Sequence, residues 1–177
     1  MDKKIYLECL EKEIYQPYKS AKGKLSWLDK LWCKYISPES NAVFLVRKKL
    51  YWESKNGGGR LLSRLYHVRL MRRYGIHITE GTEIGIGLRI AHPSSIIVTK
   101  CKIGKNFTIY QNCTIGQKFY GSGQFPVIGD NVTMYAGSNV IGKIKIGDGA
   151  VIGAGATVVD DVPDNAIMVG EKGRVKV

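Results

Sequence analysis

Large aliphatic residues recur every six positions through the second half of the chain. They are Ile78, Ile84, Ile90 and Ile96, then, after a shift of one residue, Ile103, Ile109 and Ile115, and after a longer interruption Ile128, Met134, Val140, Ile146, Ile152 and Val158. The next residue is often glycine or alanine. A fixed short period of this kind predicts a parallel β-helix, in which three six-residue units close one coil. Thirteen units between Ile78 and Val162 predict between four and five coils around a narrow aliphatic core.

The first 74 residues follow helical spacing instead. The predicted helices cover 5–15, 25–36, 41 to about 52, and 60–74. Pro38 interrupts the chain, Ser40 is expected to cap the third helix, and Gly75 ends the fourth. A glycine-rich loop over 55–59 separates the last two. We therefore expect three parts: a basic helical region over 1–74, a β-helix domain over 75–170 and a tail over 171–177.

Positive charge is concentrated in the helical region. Residues 1–77 hold 17 Lys and Arg against 7 Asp and Glu, a net charge of +10, whereas residues 78–177 hold 10 against 8, or +2. A basic patch can bind nucleic acid, but the repeats offer no basic groove and no reading motif, so we expect no such partner. Trp27, Trp32 and Trp52 favour helices packed on each other and on the first coil. Peripheral contact with a membrane or an anionic lipid-linked glycan is the alternative interpretation.

Cysteine usage and the first residues indicate the compartment. Four cysteines show no CxxC spacing, and Lys3, Lys4 and Glu8 do not fit a secretory leader. We expect a reduced, cytoplasmic protein without disulfides. Cys113 falls on an inward position of the repeat and is expected to fill the core.

The interruption between Ile115 and Ile128 predicts a loop leaving the coil at a corner. Its residues 117–125 include Phe119, Tyr120 and Phe125. Insertions in stacked coils occur at corners and often lie on the binding face. We therefore expect this loop to contribute to a site.

Two histidines and two alanines in the repeats are candidates for chemistry. His77 and His92 are 15 residues apart, which is one coil less three residues, so we expect them to lie near each other around a corner. Ala136 and Ala154 are one full coil apart and should stack into a stripe of small residues. Such a stripe can hold a thin extended ligand, although small residues also suit tight corners.

Three blocks of the sequence resemble the serine O-acetyltransferase branch of the hexapeptide acyltransferases, which also includes polysaccharide acetyltransferases. They are YGIHITEGTEIGIGLRIAHPSSIIV, FTIYQNCTIGQ and IGDNVTMYAGSNVIGKIKIGDGAVIGAGATVVDDVP, and the resemblance covers about Tyr74 to Val169. It implies a left-handed coil, a trimer, and acetyl-CoA bound in the groove between neighbouring subunits. No metal is implied.

The resemblance also implies roles for single residues. His92 matches the catalytic histidine, a general base, and His77 stands where the family has an aspartate that orients it. The acetyl-CoA contacts map onto Gly116, Ala136 and Ala154. Lys172 and Arg174 match the basic C-terminal segment that contacts the CoA phosphates, although its proline is absent.

The acceptor-binding residues of the serine enzymes are not matched. Ala91 replaces an acidic residue, and Gln124 and Phe125 replace an Arg-His pair that grips the serine carboxylate. Losing these charges should disfavour a zwitterionic acceptor. Tyr120 and Phe125 resemble a sugar platform, with Gln124 available for hydroxyl groups. We therefore expect O-acetylation of a saccharide, with serine O-acetyltransferase or a non-catalytic trimeric scaffold as the alternatives.

Overall fold

The computed structural model describes residues 1–119, 121 and 123–171. The helices in this part of the chain are α1 (Lys3–Leu10), α2 (Gln16–Lys22), α3 (Trp27–Tyr35), α4 (Pro38–Glu53) and α5 (Gly59–Tyr74). A single π-helical turn, Glu11–Tyr15, joins α1 to α2 without a break.

Local chemistry explains where the helices begin and end. Ser26 and Asp29 form a capping box at the start of α3, which satisfies backbone N–H groups that the helix leaves free. The prediction that Ser40 caps α4 is wrong. This helix begins at Pro38, because proline suits the first helical position, and Ser40 is buried inside it. Gly75 ends α5 in the left-handed conformation, at φ +64°.

The second half of the chain is a left-handed parallel β-helix of short strands. The strands are β1 (His77–Ile78), β2 (Glu83–Ile84), β3 (Arg89–Ile90), β4 (Ile97–Val98), β5 (Lys102–Ile103), β6 (Thr108–Ile109), β7 (Thr114–Gly116), β8 (Val127–Ile128), β9 (Thr133–Met134), β10 (Asn139–Ile141), β11 (Lys145–Ile146), β12 (Val151–Ile152), β13 (Thr157–Val158) and β14 (Ile167–Met168). Every strand pairing is parallel.

Three sheets form the sides of the coil. Sheet A contains β1, β4, β7, β10 and β13; sheet B contains β2, β5, β8 and β11; sheet C contains β3, β6, β9, β12 and β14. The chain visits them in the order A, B, C, so we name the corners AB, BC and CA. The column of aliphatic residues that the sequence predicts is almost wholly buried.

The period predicted from the sequence is wrong at one place. Val98, not Ile96, pairs with Ile78 in sheet A. Val98 comes eight positions after Ile90, whereas in the next coil Ile115 comes six positions after Ile109. The CA corner that contains His92 is therefore two residues longer than the CA corner below it.

The BC corner is the tightest of the three. A Cβ added at Gly85 would lie 2.6 Å from the carbonyl of Gly104, and one at Gly104 would lie 2.6 Å from that of Gly129. Aspartates bind these coils together, since Asp130 accepts a hydrogen bond from the N–H of Lys105 in the coil above, at 2.7 Å. Glycine is required here because successive backbones approach too closely for a side chain.

A buried ion pair anchors the helical region to the first coil. Arg47 of α4 binds both carboxylate oxygens of Glu13 at 2.6 and 2.8 Å, and it also donates to the carbonyls of Ile84 and Gly85. Glu13 in turn accepts from the backbone N–H of Gly87 at 2.7 Å. The two side chains are 1% and 0% exposed. This network fixes the segment that leads to β3 and then to His92.

Aromatic packing in the helical region is looser than expected. Trp27 is 69% exposed and Trp32 is 47% exposed. Trp32 nevertheless packs edge-on against Tyr18 of α2, with ring centres 5.6 Å apart, so the predicted packing between helices is confirmed for Trp32 but not for the largely exposed Trp27. Leu61 and Leu65 of α5 also face outward. Among the described residues, no helix is long and apolar enough to cross a membrane.

All four cysteines are buried and free. Burial raises the pKa of the Cys101 thiol to about 12 and that of Cys9 to about 11. Cys113 lies in the core. Buried thiols with raised pKa values are poor nucleophiles, so Cys9 and Cys101 do not suggest a thiol-based reaction.

Candidate active site

His92 projects from the elongated CA corner of the first coil. Its backbone has φ +52°, a conformation that residues with a side chain seldom adopt, and the residue is exposed. Its ring lies 6.3 Å from that of Tyr110 in the next coil, and the Tyr110 ring lies 5.1 Å from that of Tyr135. The two extra residues thus hold an imidazole outside the coil, with an aromatic surface below it.

A stripe of small residues runs down the same corner. Gly137 donates a hydrogen bond to the carbonyl of Gln111, and Gly155 donates to that of Ala136, each at 3.0 Å. These bonds confirm that Ala136 and Ala154 stack one coil apart. A Cβ on Gly170 would lie 2.7 Å from the Ala154 carbonyl, so the stripe continues to Gly170.

Gln111, whose backbone belongs to this corner, carries an unsatisfied polar atom. The side-chain oxygen Oε1 of Gln111 is buried and has no hydrogen-bond partner among the described residues. A buried acceptor without a partner costs free energy.

A cleft of about 720 Å³ opens beside His92, between the helical region and the first two coils. Its polar lining includes Lys12, Glu39, Arg89 and Asn106. Lys12 donates a hydrogen bond from Nζ to Oδ1 of Asn106 at 3.0 Å. The cleft is therefore lined by two cations and two carboxylates, of which Glu13 is already paired with Arg47 and Glu39 takes part in no ion pair among the described residues.

His77 lies against a different histidine. Its ring is 4.7 Å from that of His67 in α5, and it is not part of the lining of the cleft beside His92. Burial, followed by the neighbouring His77, lowers the pKa of His67. Nε2 of His67 is buried without a partner among the described residues. His77 therefore contacts His67, while the predicted approach of His77 to His92 stays a prediction.

Other candidate residues lie at the AB corner. Gly116 belongs to sheet A, where its carbonyl accepts a hydrogen bond from Gly142 at 2.8 Å. The loop after it carries Gln124 and Phe125, and Lys100 Nζ lies 5.7 Å from the Phe125 ring. Within one chain, therefore, these residues are on a different corner from the stripe. Tyr120, Lys172 and Arg174 lie outside the described residues.

Sequence reasoning missed the polar lining of the cleft. Lys12 and Glu39 come from the helical region, 94 and 67 positions before Asn106, and no local pattern connects them. Arg89 offered a signal, because it immediately precedes the buried Ile90 and therefore points outward, three positions before His92.

Comparison with known proteins agrees with this architecture. Residues 125–160 match the family model described as bacterial transferase hexapeptide (six repeats). Serine acetyltransferases from Staphylococcus aureus and Staphylococcus epidermidis are 37% identical over 133 residues, which is 74% of this chain and 61% of theirs. The chain thus spans less than two thirds of the length of these relatives.

Solved structures are similar along almost the whole chain. Neisseria gonorrhoeae serine acetyltransferase in complex with serine has a TM-score of 0.75 at 25% identity, covering 96% of this chain and 68% of that one. The soybean serine acetyltransferase apoenzyme has a TM-score of 0.75 at 25% identity, with 97% and 69% covered. The fold and the repeats define a hexapeptide-repeat protein. In sequence and fold the chain is similar to the serine O-acetyltransferase branch of the hexapeptide-repeat acyltransferases.

Proposed function

We propose that this protein is an acetyl-CoA-dependent O-acetyltransferase with His92 as its general base. One observation carries the proposal: an exposed imidazole stands at the head of a small-residue stripe and beside a polar cleft. A donor in the stripe and an acceptor in the cleft would meet at this imidazole. The relatives, which are named serine acetyltransferases, support the same class of reaction.

Imidazole suits the proton transfers of this reaction because its ordinary pKa lies near neutrality. His92 would remove the proton from the acceptor hydroxyl as the oxygen attacks the thioester carbonyl. When the tetrahedral intermediate collapses, the C–S bond breaks and the protonated imidazole gives its proton to the CoA thiolate. Atoms and charge balance without a covalent enzyme intermediate or a metal.

The donor would lie along the CA corner. Ala136 and Ala154 leave room for a thin chain such as the pantetheine arm along this corner. Gly116 lies at another corner of the same chain, so its predicted contact with acetyl-CoA requires a neighbouring subunit. We assign Lys172 and Arg174 to the CoA phosphates on the resemblance alone.

A trimer would bring the AB and CA corners of neighbouring chains together. The outward side chains of sheet B include charged Glu83, Lys102 and Lys145, which favour solvent. Those of sheets A and C are mostly uncharged, as at Ile97, Thr133 and Val151. This contrast favours burial of sheets A and C against neighbours. Such a trimer would place Gln124 and Phe125 near another chain's His92.

L-serine is the acceptor that the relatives support best. Although Ala91, Gln124 and Phe125 lack the charges expected for it, the cleft beside His92 supplies others. Glu39 would hold the ammonium group, and Lys12 or Arg89 the carboxylate. The reasoning from the sequence that disfavoured a zwitterion did not include these residues.

A saccharide hydroxyl is the second candidate acceptor. It is favoured by the uncharged residues that stand where serine-binding charges are expected, namely Ala91, Gln124 and Phe125. Aromatic side chains in the loop, Phe125 and Tyr120, are of the kind that sugars stack on. The basic helical region would then favour an anionic glycan, including a lipid-linked one. Since acetyl-CoA is a cytoplasmic donor, we place either reaction in the cytoplasm.

Thiol release from acetyl-CoA tests these assignments. The assay compares L-serine with a panel of neutral and acidic oligosaccharides, in the parent protein and in the variants Glu39→Gln and Arg89→Gln. For a serine enzyme, both variants should raise KM for L-serine by about tenfold or more, while Lys102→Gln on sheet B should not. Turnover of oligosaccharides alone would support the second candidate. Absence of acetyl-CoA binding by calorimetry would instead support a non-catalytic scaffold.

A further inference from the structure

A second cavity lies inside the helical region, away from the cleft beside His92. Its volume is about 400 Å³, and it is formed by side chains from α1, α3, α4 and α5. The two cavities share no lining residue. We call it the helical pocket. Its position means that neither acceptor nor donor binding at the CA corner accounts for it.

The helical pocket is cationic. Lys34, Lys48 and Arg69 line it, and no aspartate or glutamate does. In the described part of the chain, ion pairs to carboxylates are formed by other cations, such as Arg47 with Glu13 and Lys49 with Glu53, and none of the three pocket cations takes part. Three positive charges without a counter-charge therefore converge on one cavity.

Aromatic rings hold two of these cations near each other. Lys34 Nζ lies 5.9 Å and Lys48 Nζ lies 5.8 Å from the centre of the same Phe44 ring. Lys48 is also 5.3 Å from the Tyr6 ring. Burial, followed by the charge of Lys34, lowers the pKa of Lys48. Cation–π contacts offset only part of the cost of placing like charges together, so an anion between them would be stabilised.

The remaining polar groups of the helical pocket are mainly hydrogen-bond donors. Tyr6, Tyr35 and Tyr66 carry hydroxyl groups, and Arg69 presents the planar fork that suits two oxygens of one tetrahedral anion. Asn41 is already occupied, because it donates to the Lys34 carbonyl and accepts a hydrogen bond from Tyr74 at 2.8 Å. It thereby fixes the backbone from which Lys34 extends.

From this geometry we infer that the helical pocket binds a phosphoryl group carrying at least two negative charges. Two ammonium groups and one guanidinium match the oxygens of a phosphate or diphosphate, and the volume admits either one with part of an attached group. The group comes either from a free phosphorylated molecule or from a lipid headgroup. Tyr35 lines both this pocket and the neighbouring apolar groove with Leu31 and Trp32, so the lipid source is tested as well.

The primary test measures pyrophosphate binding by calorimetry at low ionic strength. The parent protein should bind, and Lys48→Met and Arg69→Met should each weaken binding by about tenfold or more. Lys102→Met, which removes the same charge from sheet B, should bind as the parent does. Equal binding by all four proteins would overturn the inference, and so would the absence of binding to both pyrophosphate and the vesicles described next.

The second arm uses sedimentation with vesicles of phosphatidylcholine, alone or with phosphatidic acid. Binding that requires phosphatidic acid and is lost in Lys48→Met assigns the site to a headgroup; pyrophosphate binding alone assigns it to a free ligand. Thermal unfolding controls for misfolding. Without ligand, Lys48→Met should have a higher melting temperature than the parent protein, and pyrophosphate should no longer increase the melting temperature of this variant. Acetyl-CoA binding and thiol release should stay unchanged in these variants, so failure here is distinct from failure of the proposed reaction.

Discussion

At the scale of single residues, His92 is set apart by its backbone as well as its side chain. It adopts φ +52° in a corner that is two residues longer than the one below it. A strained conformation of this kind persists only where the surrounding structure holds it, and such residues often mark functional sites. The longer corner therefore interrupts the regular coil and exposes the imidazole outside it.

Replacing this imidazole should remove the chemistry and spare binding. We expect His92→Ala to reduce kcat by about 10²–10⁴-fold, the usual contribution of a general base. Acetyl-CoA binding by calorimetry should be unchanged, because the stripe from Gln111 to Ala154 remains. Free imidazole in the buffer should restore part of the rate. Full turnover without rescue would exclude His92 as the base.

His67 should make the protein sensitive to acid. Its pKa is lowered below the ordinary value of 6.5 by burial, and then by His77 and Lys49, with Glu53 and Glu80 acting in the opposite direction. The unfolded chain therefore binds this proton more readily, and its contribution to stability, present above pH 6.5, is lost as the pH falls below it. We expect the free energy of unfolding to decrease from pH 7 to pH 5.

The variant His67→Gln isolates this effect. Urea unfolding at several pH values should show a shallower decrease in the variant than in the parent protein. Identical profiles would mean that other groups cause the acid sensitivity, and a parent profile that is flat over this range would contradict the prediction.

From the sequence, His92 could be chosen as the candidate base, but its surroundings could not be predicted. Ile96 continues the six-residue period and is buried, so periodicity cannot reveal that Val98 takes its place in the sheet. Only the pairing of Ile78 with Val98 shows the longer corner. Glu39 and Lys12 were missed because their approach to His92 depends on how the helices pack.

At the scale of elements, the join between helices and coil depends on one buried ion pair. Arg47 and Glu13 are 34 residues apart; Arg47 also binds backbone carbonyls at the end of β2, and Glu13 binds backbone N–H groups just before β3. Helical spacing predicts that both lie on helices, but it does not predict that charged side chains face inward. The helices other than α2 could therefore be predicted from the sequence, whereas their attachment could not.

Breaking this pair should destabilise the protein strongly. Arg47→Met leaves the Glu13 carboxylate buried without its partner, which costs about 3–5 kcal/mol in comparable cases. The matched control is Lys102→Met, whose exposed pair with Glu83 should contribute at most about 1 kcal/mol. Chemical denaturation measures both. Similar losses in the two variants would contradict the assigned role of the buried pair.

At the scale of the whole molecule, the three corners of the coil differ in what they tolerate. The BC corner leaves no space for a side chain at Gly104, the AB corner accepts the loop over 117–125, and the CA corner holds the stripe. The six-residue period predicted the coils and the loop, because these follow from local spacing. Which residues come together at one corner can be determined only when the strands are paired in the closed coil.

Filling the stripe should block the donor without unfolding the coil. Ala154 is exposed and Ala136 is half-buried in the single chain, so tryptophan at either position displaces little of the core. We expect Ala154→Trp and Ala136→Trp to abolish acetyl-CoA binding by calorimetry, with an unchanged circular dichroism spectrum. Normal binding by either variant would place the groove elsewhere.

The helices cover only one end of the coil, so the two ends should differ in how readily they open. In a stacked array each coil is stabilised mainly by its neighbours, and the first is also held by α4 and α5, including the Arg47 network. At the other end β14 pairs only with β12 among the described strands. Transient opening should therefore begin at the β14 end, giving amide hydrogen exchange that slows progressively from β14 towards β1. Uniform exchange rates along the coil would instead indicate that it opens as a single cooperative unit.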